Sequence, residues 1–84
     1  MMFFVYILRA TEIPDQTYVG FTQDLKNRLQ RHNAGHVRHT SKYRPWRLET
    51  YLAFSTKEQA LAFERYLKTG SGRAFAKKRL HSCL

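Results

Sequence analysis

Cysteine is almost absent from this sequence, which has one, Cys83, among its 84 residues. A single cysteine cannot form an internal disulfide and leaves no cysteine-based zinc site, and this usage is typical of a reducing cytosol. Long apolar runs are absent too, since no stretch approaches the roughly 18 apolar residues that a membrane-spanning helix needs. The sequence therefore predicts a cytoplasmic protein that does not bind or span a membrane.

Acidic residues are scarce as well, because 6 Asp and Glu face 15 Lys and Arg, for a formal net charge of +9. A surplus of this size concerns partners more than fold, and polyanions are the natural partners. Arg9 is the one basic residue before Lys26, so the positive charge is concentrated in the later part of the chain. This distribution favours nucleic acid as a partner, with a generally basic, solvated surface as the alternative.

Apolar runs and turn residues predict three strands. Phe3 to Leu8 is a continuous apolar run and indicates a buried strand, and Thr17 to Phe21 indicates a second. The stretch from Ala10 to Gln16 has turn chemistry, so we expect the first two strands to form a hairpin. Trp46 to Phe54 predicts the third strand.

Capping residues predict two helices around these strands. Asp24 can cap the first helix and Gly35 can end it. Ser55 or Thr56 caps the second helix, which is expected to continue to about Thr69.

A third helix is predicted at the end of the chain. The run Gly70-Ser71-Gly72 is expected to break the second helix, and Arg73 to His81 then forms a short, very basic helix. The order β-β-α-β-α-α predicts one α+β domain over residues 1–84, with a small antiparallel sheet flanked by helices.

Two tyrosines in the first hairpin attract attention. Side chains alternate across a strand, so Tyr6 shares a face with Phe4 and Leu8, and Tyr18 shares one with Gly20. The spacing permits both tyrosines on one face of the sheet, although the register is not given by the sequence. In isolation, two aromatic strand residues need no functional explanation.

A helical wheel adds two polar residues beside the apolar stripe of the first helix. At about 100° per residue, Arg28 and His32 both fall within about 60° of Leu25. Each alone is explained by an arginine that snorkels past the core or by a satisfied interior histidine. Their i, i+4 pairing next to two tyrosines indicates a functional site instead.

Glu64 is a similar exception in the second helix, where it lies inside the apolar stripe. One alternative is structural, an ion pair with Arg28 or with Lys68 at i+4. The functional alternative is a lone carboxylate that binds a divalent cation, since magnesium often uses only one or two protein carboxylates.

Two basic segments are candidates for nucleic-acid binding. The run from Ser41 to Arg47 interleaves basic and aromatic residues, which suits backbone contact and base stacking, or a solvated loop with Trp46 in the core. The last helix offers a phosphate-contacting face, or a merely solvated helix end. The candidate nucleic-acid-binding residues are Lys42, Arg44, Arg73, Lys77 and Lys78.

The triplets Phe4-Val5-Tyr6 and Tyr18-Val19-Gly20, with Arg28, His32 and Glu64 in order behind them, resemble the GIY-YIG nuclease family. The resemblance is greatest to its small single-domain bacterial members and runs from about Phe3 to Leu80. It implies a metal-dependent endonuclease that hydrolyses phosphodiester bonds in nucleic acid, most naturally DNA, with Mg²⁺ or Mn²⁺. It also implies a three-stranded antiparallel sheet flanked by helices.

The resemblance assigns a role to each residue of the site. Tyr6 matches the general base towards the attacking water, and Tyr18 matches the tyrosine that contacts the scissile phosphate or its water. Arg28 matches the arginine that stabilises the phosphate charge, and His32 a histidine that helps the tyrosine lose its proton. Glu64 matches the metal-binding glutamate.

Two positions depart from the family pattern. Phe4 replaces the first glycine of the family name, at a structural position. The region from about Ala74 to Arg79 lacks the asparagine that many members carry, and Lys77 or Lys78 is a candidate substitute. The alternatives to an active nuclease are an inactive nucleic-acid-binding module and a subunit of a DNA repair complex that a protein partner directs to its substrate.

Overall fold

The structure, a computed structural model, describes residues 1–81, so Cys83 lies outside the described residues. Its sheet has three antiparallel strands, β1 (Phe3–Ala10), β2 (Thr17–Thr22) and β3 (Trp46–Phe54). The strand order is β2-β1-β3, so β1 is central and pairs on both sides. The continuous apolar run of β1 fits this position, because a central strand here is covered on both faces.

Three helices follow in the predicted order, α1 (Leu25–Asn33), α2 (Lys57–Leu67) and α3 (Gly70–Arg79). Asp24 caps α1 by accepting a hydrogen bond from the Asn27 backbone N–H, and Gly35 follows its end with a φ of 84°. The predicted α+β class and the β-β-α-β-α-α order are confirmed. Within residues 1–81, none of the helices is long and apolar enough to cross a membrane.

The prediction for α3 was wrong at its start, which lies at Gly70 rather than Arg73. Thr69 accepts a hydrogen bond from the Gly72 backbone N–H at 3.1 Å and so caps a new helix directly after α2. The Gly-Ser-Gly run is therefore the first turn of α3. A Cβ on Gly72 would overlap the Tyr66 carbonyl oxygen, so the close approach of α2 and α3 requires glycine there.

The two faces of the sheet carry different helices. Val5 and Ile7 face α2 and α3 and pack with apolar residues of both. Tyr6 and Leu8 point to the opposite face, where the leucines of α1 and Trp46 cover them. The inward-facing side chains of α1 and α2 therefore lie on opposite sides of the sheet.

A buried ion pair holds the far end of β1. Glu49 lies where the pairing of β1 with β3 is irregular, and its side chain is only 1% exposed. Its carboxylate accepts hydrogen bonds from Arg9 at 2.7 Å and from Arg47 at 3.1 Å. Burying an unpaired cation in a core this small would be costly. The ion pair with Glu49 therefore allows the Arg9 side chain to be buried.

Candidate active site

Tyr6 reaches from β1 over the neighbouring strand β2. It is 2% exposed and pairs with Gly20 in the sheet. A Cβ on Gly20 would overlap the Cζ and hydroxyl oxygen of Tyr6. The glycine of the Tyr18-Val19-Gly20 triplet therefore makes room for the phenol ring.

Tyr18 lies beside Tyr6 on the same face. It pairs with Leu8, and directly paired residues of an antiparallel sheet share a face. The ring centroids of the two tyrosines are 6.3 Å apart, and the Tyr18 ring is 5.0 Å from that of His32. The two strands thus pair in the register that places both tyrosines on one face of the sheet, which the sequence permitted but did not specify.

The Tyr6 hydroxyl lies between the two polar residues of α1. It is 2.8 Å from His32 Nε2 and accepts a hydrogen bond from Arg28 Nε at 3.2 Å. A guanidinium can only donate, and His32 Nε2 is the other polar atom within hydrogen-bond distance of the Tyr6 hydroxyl, so we assign the phenol proton to His32 Nε2 as the acceptor. The wheel's placement of both α1 residues beside the sheet agrees with these contacts.

A second hydrogen bond agrees with this assignment of the His32 tautomer. With Nε2 as the acceptor, Nδ1 donates to Thr40 Oγ1 at 2.7 Å. Thr40 in turn donates to the Val37 carbonyl oxygen at 3.3 Å. Tyr6, His32 and Thr40 thus form a directional chain of donors, and the network as a whole assigns the tautomer.

Burial determines the charge states of this cluster. It lowers the pKa of His32 to about 4, with the charge of Arg28 as a second cause, so the imidazole is neutral at pH 7. Burial also raises the pKa of Tyr6, against the hydrogen bond and charge of Arg28. The hydrogen bond to Tyr6 raises the pKa of Arg28. The resting cluster therefore holds a neutral phenol, a neutral imidazole and one cation.

Glu64 approaches from α2, on the other face of the sheet. Its side chain is 20% exposed and contacts Lys68 Nζ at 3.4 Å, so of the two ion pairs considered from the sequence this is the one that forms. The charge of Glu64 is the smallest of the causes that raise the pKa of Tyr6. The candidate residues therefore come from both faces of the sheet, with Tyr18 on β2, an edge strand.

The single carboxylate of Glu64 fits a sparse metal site. Within residues 1–81, no three His, Cys, Asp or Glu side chains are grouped to hold a metal ion. Magnesium accepts one or two carboxylates and fills its other positions with water and phosphate oxygens. The Glu64 carboxylate suits this pattern, because its contact with the half-exposed Lys68 is long and weak.

The candidate nucleic-acid-binding residues of α3 divide into two groups. Arg73 and Lys77 line a groove that Tyr18 also borders, whereas Lys78 is exposed outside that lining.

Part of the segment around Trp46 is buried in the core, and part of it is exposed. Trp46 is 4% exposed and its indole N–H donates to the Thr40 carbonyl oxygen, so this ring belongs to the core and is not available for base stacking. Lys42 Nζ lies 5.4 Å from the centre of the Tyr43 ring. Arg44 Nε donates to a backbone carbonyl of the same segment at 2.8 Å. Lys42 and Arg44 are both exposed.

Thr40 and Gly20 are the contacts of the site that the sequence did not predict. Thr40 is 1% exposed and follows α1 in an irregular segment, where no periodicity indicates which side chain points inward. Gly20 had a usable signal, because a glycine inside a strand often marks the close approach of another group.

Known proteins are similar to this chain in sequence and fold. The sequence model of the GIY-YIG catalytic domain matches residues 2–79. The structure-specific endonuclease subunit SLX1 homolog of Giardia intestinalis is 42% identical over 62 residues, which are 69% of this chain but only 17% of that protein. A UPF0213 protein of Streptococcus pyogenes serotype M5 is 42% identical over 67 residues, covering 77% of this chain and 70% of that protein.

A solved structure shows the same architecture. The solution NMR structure of a UPF0213 protein from Bacillus halodurans superposes with a TM-score of 0.55 at 32% identity, covering 93% of this chain and 82% of the other. The family match extends over almost the whole stretch from which the resemblance was inferred. The chain therefore belongs to the GIY-YIG family of nucleases, which are hydrolases of phosphodiester bonds.

Proposed function

We propose that this protein is a metal-dependent endonuclease that hydrolyses phosphodiester bonds in DNA. The observation that carries the proposal is the Tyr6 hydroxyl, held 2.8 Å from His32 Nε2 and 3.2 Å from Arg28 Nε. One neighbour can take the phenol proton and the other supplies positive charge. A buried core tyrosine needs one hydrogen-bond partner, but it does not need a cation beside its hydroxyl.

Tyr6 acts as the general base through a relay. Burial raises its pKa, so little phenolate is present at neutral pH. Tyr6 therefore takes a proton from the attacking water while its own proton passes to His32 Nε2. The imidazole has a free lone pair for this transfer because the pKa of His32 is about 4. Proton transfer of this kind contributes about 10²- to 10⁴-fold to a rate.

Arg28 and Tyr18 bind the phosphate in this proposal. Arg28 uses Nε for Tyr6, and its terminal nitrogens carry the forked donors that match phosphate oxygens. Negative charge that develops on the phosphate offsets the positive charge that His32 gains. Tyr18 presents a second hydroxyl next to Tyr6 for the phosphate or its water.

Glu64 is the residue that would hold the metal. Nucleases of this family generally depend on a divalent ion, and one carboxylate with water and phosphate oxygens suffices for Mg²⁺ or Mn²⁺. When bound, such an ion neutralises charge on the leaving oxygen.

The test compares two carboxylates of α2. Glu64→Gln should reduce cleavage of labelled single-stranded, duplex and branched DNA in Mg²⁺ or Mn²⁺ by at least about a hundredfold. Glu58→Gln removes the same charge from the first turn of the same helix and should stay near the wild-type rate. Equal rates for the two variants would remove Glu64 from the site. A wild-type protein that cleaves no member of the panel in either metal would refute the endonuclease.

A second candidate is a catalytic subunit that needs a partner for targeting. The Giardia relative is named as an endonuclease subunit, and this chain corresponds to 17% of it. In that case the isolated chain would bind DNA in a salt-sensitive way with little cleavage, and adding a co-purifying partner would restore cleavage. Strong activity of the isolated chain would count against it.

A further inference from the structure

A groove of about 820 Å³ lies next to the candidate active site, between the β1–β2 hairpin and the helices α2 and α3. Thr17 and Tyr18 of β2 form one side of it. Lys68, Arg73 and Lys77 form part of the other. Tyr18 thus belongs both to the groove and to the cluster around Tyr6.

Three cations in the groove are available to an anion. Arg73 and Lys77 are exposed, and neither makes an ion pair within residues 1–81. The Lys68 side chain is 54% exposed, and its 3.4 Å contact with Glu64 is worth little because solvent screens it. These three side chains therefore give the groove a local positive potential.

The other charged residues of the lining change this balance only slightly. Arg9 lines the groove, but its charge is neutralised by an ion pair with Glu49 at 2.7 Å. His81 Nδ1 lies 3.0 Å from Arg9 Nη2, and burial followed by the charge of Arg9 lowers the pKa of His81, so it adds no cation. Asp15 is the acidic residue of the lining.

We propose that this groove binds the phosphate backbone of a single nucleic-acid strand on one side of the bond that is cut. The proposal rests on the proposed function, because that function places Tyr18 at the scissile phosphate. Arg73 and Lys77 are neighbours at i, i+4 on α3, and with Lys68 they line the same groove as Tyr18. A polyanion suits a groove with several exposed cations, because its successive phosphates can pair with more than one of them.

The shape of the groove suits a single strand. It is a recess between a hairpin and a helix, lined by exposed cations. Charged grooves of this kind hold single strands by following their backbone. The preferred substrate is therefore DNA with a single-stranded segment next to the cleavage point.

Two double variants with equal charge loss test the proposal. Arg73→Gln with Lys77→Gln removes two cations from the groove. Arg65→Gln with Arg79→Gln removes two exposed cations of α2 and α3 that do not line it. The probe is a labelled single-stranded DNA oligonucleotide in EDTA, with Kd measured across a salt series and folding checked by thermal melting.

The groove pair should raise Kd at least tenfold at low salt and the control pair less than threefold. The slope of log Kd against log salt should fall by about 1.4 for the groove pair, because each contact to a single strand contributes about 0.7. Equal weakening by both pairs would overturn the proposal, since the binding would then be diffuse charge attraction. Parallel cleavage assays separate the two proposals: wild-type cleavage with equal weakening refutes only the groove, and groove-dependent binding without cleavage refutes only the nuclease.

Discussion

Tyr6 donates its phenol proton to His32 and accepts a hydrogen bond from Arg28, and each neighbour is oriented by α1. The helical wheel could predict Arg28 and His32, because helical periodicity alone brings both beside the sheet. It could not predict Thr40, which orients the imidazole from an irregular segment. The direction of the hydrogen bonds from Tyr6 through His32 to Thr40 depends on three-dimensional contacts, which the sequence pattern does not contain.

Gly20→Ala tests how Tyr6 is placed. The new methyl group would overlap the Cζ and hydroxyl oxygen of Tyr6, so the ring must move away from His32. We expect at least a hundredfold loss of cleavage, because a misplaced general base forfeits its contribution of about 10²-fold or more. Circular dichroism should still show a folded protein. Wild-type cleavage by Gly20→Ala would mean that Tyr6 does not act from this position.

His32 should make the folded protein less stable in acid. Its pKa is 6.5 in an ordinary setting and about 4 in the fold, so as the pH falls the unfolded chain binds the proton first. The stability present above pH 6.5 is lost between pH 6.5 and 4, by about 3 kcal/mol in total.

Urea unfolding at pH 7 and pH 4.5 measures this loss. Wild type should lose about 2 kcal/mol more than His32→Gln, which keeps a polar side chain at the site but does not titrate. Equal losses in the two proteins would show that the pKa of His32 is the same in the folded and the unfolded protein.

At the scale of elements, apolar runs, turn residues and capping residues predicted the type and order of the three strands and three α-helices, but not the short 3-10 helix at Ser41–Tyr43. The start of α3 was a further exception, because two glycines suggested a break while the Thr69 cap started a helix at once. Periodicity also identifies which face of a helix is buried but not which face of the sheet it covers. The sequence therefore could not predict that α2, which carries Glu64, and α1, which carries Arg28, pack on opposite faces of the sheet.

Two glycines in the first turn of α3 should respond oppositely to alanine. A Cβ on Gly70 meets nothing within 4 Å, so Gly70→Ala should stabilise the protein by about 0.4–1 kcal/mol through the unfolded chain. A Cβ on Gly72 would overlap the Tyr66 carbonyl, so Gly72→Ala should cost at least about 1–3 kcal/mol. Thermal melting measures both. Stabilisation by Gly72→Ala would contradict the close approach of α2 and α3.

At the scale of the whole molecule, the net charge of +9 predicted a nucleic-acid partner but not where that partner lies. Folding distributes the cations unequally: Arg28 enters the cluster around Tyr6, Arg9 is used by a buried ion pair, and Arg73 and Lys77 line a groove. Candidate site residues come from β1, β2, α1 and α2, so the complete fold is needed to bring them together.

The most direct test of the central claim compares wild type with Tyr6→Phe. Cleavage of single-stranded, duplex and branched DNA is measured in Mg²⁺ or Mn²⁺, and affinity for the same DNA is measured in EDTA. Wild type should cleave, and Tyr6→Phe should be slower by at least about a hundredfold with its affinity almost unchanged, because the ring stays and only the hydroxyl is lost. Cleavage at the wild-type rate by Tyr6→Phe would contradict the role of the hydroxyl held between His32 and Arg28.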